Sequence, residues 1–290
     1  MTDSQRDALN EGEQHGLRYA LSLPRQTKVG TTGTALGQHA GSSLEFKDYR
    51  EYQPGDDLRH VDWSAYARSD QLSVKVFREE ICPHVDILLD VTRSMALTDS
   101  AKSRGALALA SFFATASTNA SFAHAVWGLG EQINPVPNGH SHPSAWESLD
   151  MEAGANPAES ILQSPPSWKA RGIRILISDL LWDCEPLMLT RQLSDRASSL
   201  IVLQILARAD VEPPEPGNYR LVDSETDEVR EIYVDAMVAQ RYREGLARHQ
   251  QNWYRACRQV GAIFSSVIAE SLLESWELDE LIEAEILRVK

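Results

Sequence analysis

Two apolar runs along the chain each stop on an aspartate. The strand read over Val85 to Val91 carries V-D-I-L-L into Asp90, and Ile173 to Ser178 (I-R-I-L-I-S) ends on Asp179. Short, nearly continuous apolar runs of this kind read as strands buried on both faces, the habit of parallel sheets. Helical and strand patterns alternate around them: a helix over Ala101 to Thr118, a strand over Phe122 to Leu129, a short helix from Asn156 to Gln163, a helix from Pro186 to Ser198 and a strand from Leu200 to Ala207. A Pro-rich loop, Val211 to Gly217, precedes two short runs that flank S-E-T-D-E and read as a hairpin, Tyr219 to Val222 and Val229 to Val234. A long amphipathic helix over Ala236 to Val260, a strand over Ala262 to Ala269 and a terminal helix from Leu272 to Val289 complete the pattern. Repeated strand-helix units predict an α/β fold, a doubly wound and mostly parallel sheet with helices on both faces.

The segment before this pattern is different. A helix is expected near Asp7 to Leu23, a Gly- and Thr-rich crossing over residues 24 to 43, and short strands around Leu44 to Phe46, Tyr49 to Tyr52 and Leu72 to Phe77, the last alternating as L-S-V-K-V-F. The expected organisation is a helical and flexible segment over 1–36, a small β-rich subdomain over 37–82 and the doubly wound domain over 83–290.

Candidate chemistry sits where the two aspartates end their strands. Asp90, Thr92 and Ser94 occupy every second position of D-V-T-R-S, so one loop presents three hard oxygens, a set suited to Mg²⁺ or Mn²⁺. In an open α/β sheet, ligands bind beyond the carboxyl ends of strands where the strand order reverses, and Asp179 is expected at the same edge. A plainer account keeps the strand and makes Ser94, Thr98 or Ser100 the cap of the following helix.

The order D-x-[ST]-x-S, then a loop entering a helix, then a strand-end Asp resembles the metal-ion-dependent adhesion site of von Willebrand factor A domains. Thr92 stands where those domains have Ser, and Asn156, in G-A-N-P-A-E-S-I-L, stands at their Thr position. A longer match lies upstream: Gly41 to Glu80 carries E-F, R-E-Y-Q-P-G-D-D-L-R-H-V-D-W, A-R and L-S-V-K in order. This signature is similar to that of the bacterial domain of unknown function 58 (DUF58) family. The resemblance implies a von Willebrand factor A-like domain, a metal set of Asp90, Thr92, Ser94, Asn156 and Asp179, no catalytic activity, and an adaptor or chaperone-like role beside a MoxR-type AAA+ ATPase and other proteins. An alternative from another class is a divalent-metal-dependent phosphoester hydrolase. Against it stands the lack, in sequence, of a His or Lys near the metal loops to act as acid or base.

Composition narrows the setting. The 290 residues carry a net charge of −14, which argues against a nucleic-acid-binding surface. No apolar stretch reaches the ~18 residues of a membrane span, and the first residues lack the apolar core of a signal peptide, so no membrane insertion and a cytoplasmic location are expected. Cys82, Cys184 and Cys257 are widely spaced and odd in number, as free thiols would be.

Other motifs are weaker. The glycines of Gly30 to Gly37 lack the Gly-Lys-Ser/Thr ending of a phosphate loop, and His140 and His142 form an H-x-H without a nearby ligand partner in sequence. Gly55 to Trp63 is dense in charge. Arg59 and Arg68 paired to Asp56, Asp57 or Asp62, with Trp63 packed between subdomains, is the favoured reading; Arg59, Asp62, Trp63 and Arg68 as a partner-binding surface is the other.

Overall fold

The computed structural model describes residues 2–22, 46–52, 61–69, 71–77, 84–97, 101–147, 149–151, 153–154, 156–224, 226 and 228–290. The chain forms two compact units, one of residues 1–26 with 83–290 and one of residues 27–82. The sequence pattern set residues 1–36 apart; in the structure the first helix belongs to the larger unit.

That helix, α1 (Asp3–Gly16), opens with a capping box in which Thr2 and Gln5 satisfy each other's backbone N–H groups. The chain then enters a short strand, β1 (Tyr19–Leu21). In the smaller unit, β2 (Phe46–Glu51), α2 (Trp63–Ser69) and β3 (Ser73–Phe77) follow, with β2 and β3 antiparallel. Asp62 starts α2: its Oδ1 accepts from the N–H groups of Ser64 and Ala65, both at 3.0 Å. Arg68 turns back within α2 and donates to the Ser64 carbonyl at 3.1 Å. Trp63 is 56% exposed, with its ring edge-on to Tyr66. Arg59, Asp56, Asp57, Cys82 and the Gly30 to Gly37 loop lie outside the described residues.

The larger unit continues as β4 (His84–Asp90), α3 (Lys102–Asn119), β5 (Ala123–Leu129), β6 (Ile133–Pro135), α4 (Pro157–Gln163), β7 (Ile173–Ser178), α5 (Pro186–Ser194), β8 (Ser199–Leu206) and α6 (Arg208–Val211). It ends with the hairpin β9 (Gly217–Val222) and β10 (Val229–Val234), then α7 (Ala236–Val260), β11 (Ile263–Ile268), α8 (Ala269–Ser275), α9 (Asp279–Glu283) and β12 (Leu287–Val289). The central sheet has the order β11-β8-β7-β4-β5-β6, parallel except for β6, which runs antiparallel at one edge. The chain builds outward from β4 to β5 and β6, returns to place β7 on the other side of β4, and then builds the opposite way. The strand order therefore reverses between β4 and β7, and Asp90 and Asp179 leave the sheet side by side. This is the expected doubly wound, mostly parallel α/β arrangement.

Strand alternation divides the core. Val85, Ile87 and Leu89 with Ile173, Ile175 and Ile177 face α1, α3 and α8, while Leu88 and Leu176 face α4, α5 and α7. Helix α3 is buried on nearly every side, and α1 approaches it so closely that a Cβ on Gly12 would lie 1.9 Å from the Ala108 carbonyl oxygen. Helix α7 matches its expected bounds: Asp235 accepts from Val238 N–H at the start, and Gly261 at φ 72° closes it.

The expected terminal helix is broken. Trp276 adopts φ 53°, stacks 4.3 Å from His15 and donates its indole N–H to Glu11, which ends α8. After α9 the chain becomes β12, antiparallel to β1. The pull of long-range packing on Trp276 outweighs the local helical preference of the segment.

Candidate functional site

The carboxyl ends of β4 and β7 hold a buried polar cluster. Asp90 is fully buried, and its Oδ1 accepts from the Thr92 N–H (2.9 Å) and the Thr92 hydroxyl (2.7 Å). Its Oδ2 accepts from the Ser178 hydroxyl (2.6 Å) and the Trp182 indole (3.1 Å). Thr92 Oγ1 in turn lies 3.0 Å from Ser94 Oγ. Ser178, one residue before Asp179, was missed in the sequence reading although it occupies the strand-end position next to Asp90.

Asp179, also fully buried, faces a different partner. Its Oδ2 lies 2.9 Å from the Lys102 ammonium, and its Oδ1 accepts from Leu181 N–H. The same ammonium is 3.2 Å from Asp210 on α6. Leu180 at φ 58° lets the chain turn sharply here, and its carbonyl accepts from His249 Nε2 on α7. A lysine therefore does stand beside the metal loops, contrary to the expectation from sequence. It is a poor proton acceptor: burial opposes its charge, but Asp179 and Asp210 outweigh that and raise its pKa.

Asp90 has the opposite balance. Burial, then the charge of Asp179, push its carboxyl up to about 7, against the pull of the Ser178 and Thr92 hydroxyls and the Thr92 N–H. No cation touches it among the described residues. Asp179 and Asp210 share the Lys102 ammonium, whereas the contacts of Asp90 are hydrogen-bond donors without charge.

Asn156 does not join the cluster. Its Oδ1 caps α4 by accepting from Ala158 N–H at 3.0 Å, and its amide donates to the Asp183 carbonyl at 2.8 Å. Pro157 at the first helical position holds it there. The expectation that Asn156 is a metal ligand is corrected on this ground: both ends of its amide are committed to the helix start and the neighbouring loop.

The oxygens of the Asp90 loop are linked by hydrogen bonds at spacings that ligands of a small divalent ion would also have. Ligand oxygens at right angles around an ion at 2.0–2.1 Å lie about 2.9 Å apart, and the Asp90, Thr92 and Ser94 oxygens are 2.7 and 3.0 Å apart. A buried carboxylate without a counter-charge is costly, and the raised pKa of Asp90 is the response to that cost. Among the described residues no three His, Cys, Asp or Glu side chains form a ligand group, so an ion here rests on hydroxyl oxygens as well as Asp90. Beside the loop lies a cleft of about 800 Å³ lined by Val91, Arg93, Gly130, Asp150 and Gly154 among others.

Elsewhere, His142 Nε2 meets Glu13 of α1 at 2.7 Å, so its H-x-H loop has a carboxylate partner that the sequence did not suggest. Burial, then Asp183 and Glu185, push the Cys184 thiol up to about 11, and burial alone pushes Cys257 to about 12. Both remain protonated and unreactive near neutral pH. No helix among the described residues is long and apolar enough to cross a membrane.

The profile of the family described as "Protein of unknown function DUF58" matches residues 48–252. The chain belongs to the DUF58 family. Uncharacterized protein Mb1516 of Mycobacterium bovis and uncharacterized protein Rv1480 of Mycobacterium tuberculosis are each 26% identical to this DUF58 protein over 244 residues, covering 79% of this chain and 76% of theirs. Among solved structures, the conserved hypothetical protein BatB from Bacteroides thetaiotaomicron aligns at 14% identity and a TM-score of 0.34, over 70% of this chain and 98% of its own. An aerotolerance-related membrane protein from Bacteroides fragilis aligns at 14% identity and a TM-score of 0.34, over 67% and 96%.

Proposed function

We propose that the protein is a non-catalytic binding module, an adaptor or chaperone-like partner of a MoxR-type AAA+ ATPase, that docks proteins through a divalent-ion site at the carboxyl edge of its sheet. The observation that carries this reading is the convergence of the Asp90, Thr92 and Ser94 oxygens within 3.0 Å steps where the strand order reverses, with no cation on Asp90 among the described residues. Asp90 supplies the charge, and Thr92 and Ser94 supply neutral oxygens. Lys102 holds Asp179 in place and removes its charge from the ligand set. A bound Mg²⁺ or Mn²⁺ supplies an open coordination position for a carboxylate of the partner. Arg93, exposed between Thr92 and Ser94, lines the adjoining cleft through which a partner segment reaches that position.

The hydrolase alternative is disfavoured by the same cluster. Lys102 is held charged between two carboxylates, and His249 spends its Nε2–H on the Leu180 carbonyl, so neither is placed as a general base.

Isothermal titration tests the ion. Wild-type protein is expected to bind Mg²⁺ or Mn²⁺, and Ser94→Ala, which removes one neutral oxygen without unbalancing the buried charges, to bind about tenfold or more weakly. No divalent binding by the wild type refutes the ion. Recovery of a MoxR-type ATPase in pull-downs is expected to fall in EDTA. Equal recovery with and without Mg²⁺ moves the contact away from the Asp90 loop.

A further inference from the structure

The two edges of the central sheet are built differently. β6 is three residues long and ends on Pro135, features that discourage pairing with another chain. β11 has six residues, Ile263–Ile268, with no proline and no charged side chain, and most of it is half-buried. It hydrogen-bonds to β8 on one side; on its other side no backbone partner occurs among the described residues.

This open edge is recessed. It forms the floor of a cleft of about 770 Å³, with Gln250, Gln251 and Tyr254 of α7 on one wall and Glu280 and Glu283 of α9 on the other. Helix α7 packs on one face of the sheet and α9 on the other, so the walls rise above and below the sheet plane. Glu280 and Glu283 are exposed, and no ion pair holds them among the described residues. The α7 wall presents the Tyr254 ring, with the Arg258 guanidinium 5.9 Å from its centre.

We propose that the β11 edge accepts an added strand from a partner protein, an extended segment with Lys or Arg at every second position. Successive side chains of a strand point to opposite faces. A strand in the sheet plane thus turns one set of side chains to Glu280 and Glu283 and the other to Tyr254 and the two glutamines. Main-chain hydrogen bonds to β11 supply affinity, and the wall charges select the alternation. A second copy of β11 is a poor occupant, because I-F-S-S-V-I carries no cation for the glutamates. This site is separate from the Asp90 loop and needs no ion.

Fluorescence anisotropy on the full chain tests it, with a labelled peptide of about eight residues alternating Lys and Thr as the probe. Saturable binding that EDTA leaves unchanged is expected. The double variant Glu280→Lys, Glu283→Lys is expected to lose about tenfold or more in affinity and to gain affinity for an alternating Glu and Thr peptide; this reversal separates lost recognition from lost folding. N-methylation of alternate peptide amides removes the backbone donors and is expected to abolish binding. Equal binding by the N-methylated peptide, or by a peptide with its four lysines in one block, reduces the effect to general attraction by an acidic protein and overturns the proposal. Absence of binding overturns it too, as does sedimentation showing that a dimer of the chain competes for the same edge.

Discussion

Replacing Lys102 by Met removes the cation that Asp179 and Asp210 share while keeping most of the side-chain volume. The ammonium is 2% exposed and sits 2.9 Å from Asp179 and 3.2 Å from Asp210. Asp179 is fully buried and is left without a counter-charge; Asp210 keeps some contact with solvent, its side chain being 19% exposed. Breaking a buried pair by deleting one partner costs about 3–5 kcal/mol, and the access of Asp210 to water places the expected loss near the lower figure. At roughly 2–4 °C per kcal/mol for a chain of this size, the melting temperature should fall by about 6–12 °C for a loss of about 3 kcal/mol. Asp179→Asn in the Lys102→Met background should recover part of that loss, because the double variant no longer buries a lone charge. Mg²⁺ should raise the melting temperature of Lys102→Met more than that of the wild type, since three carboxylates then face the ion; at a hundredfold excess over Kd the gain is about 2.7 kcal/mol. Urea and thermal melts of the wild type, both single variants and the double variant, in EDTA and in Mg²⁺, measure all of this. Strictly additive losses, or an unchanged melt for Lys102→Met, would refute the ion-pair argument.

Two further substitutions probe the fold. Gly12→Ala should destabilise the larger unit by about 1–3 kcal/mol in urea melts, because a Cβ there lands on the Ala108 carbonyl oxygen of α3; an unchanged midpoint would mean that α1 is not docked as described. Trp63→Ala should change the melting temperature little, losing at most the edge-on contact with Tyr66, worth about 0.5–1.5 kcal/mol; a loss of several kcal/mol would restore a buried role for Trp63.

The parts of the fold that sequence makes legible are those whose signal is local. β4 and β7 are nearly unbroken apolar runs that end on aspartate, and α7 is bounded by an Asp cap and a left-handed Gly, so their limits follow from neighbouring residues. The break at Trp276, the strand β12 and the docking of α1 depend on partners at the far end of the chain, Glu11, His15 and Tyr19 to Leu21, and no local pattern announces them. Asn156 failed as a ligand for a related reason: Asn before Pro at a helix start is a strong capping signal, and the cap uses the oxygen that a metal would need.

Lys102 shows where spacing-based reading of a site stops. A signal was present: thirteen of the fourteen residues from Ala106 to Asn119 are uncharged and small or apolar enough for a helix buried on nearly every side, so a lysine one turn earlier is drawn inward with it. The sequence does not say which acids meet it, because Asp179 and Asp210 arrive on separate elements, the turn after β7 and helix α6. Their arrival changes the chemistry. With the ammonium in place Asp179 and Asp210 share it, and Asp90 faces the Thr92 and Ser94 hydroxyls without a cation among the described residues; without it all three carboxylates are left to face an ion. The lysine that weakens the case for a hydrolytic base thus also ties up Asp179 and leaves Asp90 as the carboxylate of the loop that would carry a proposed ion.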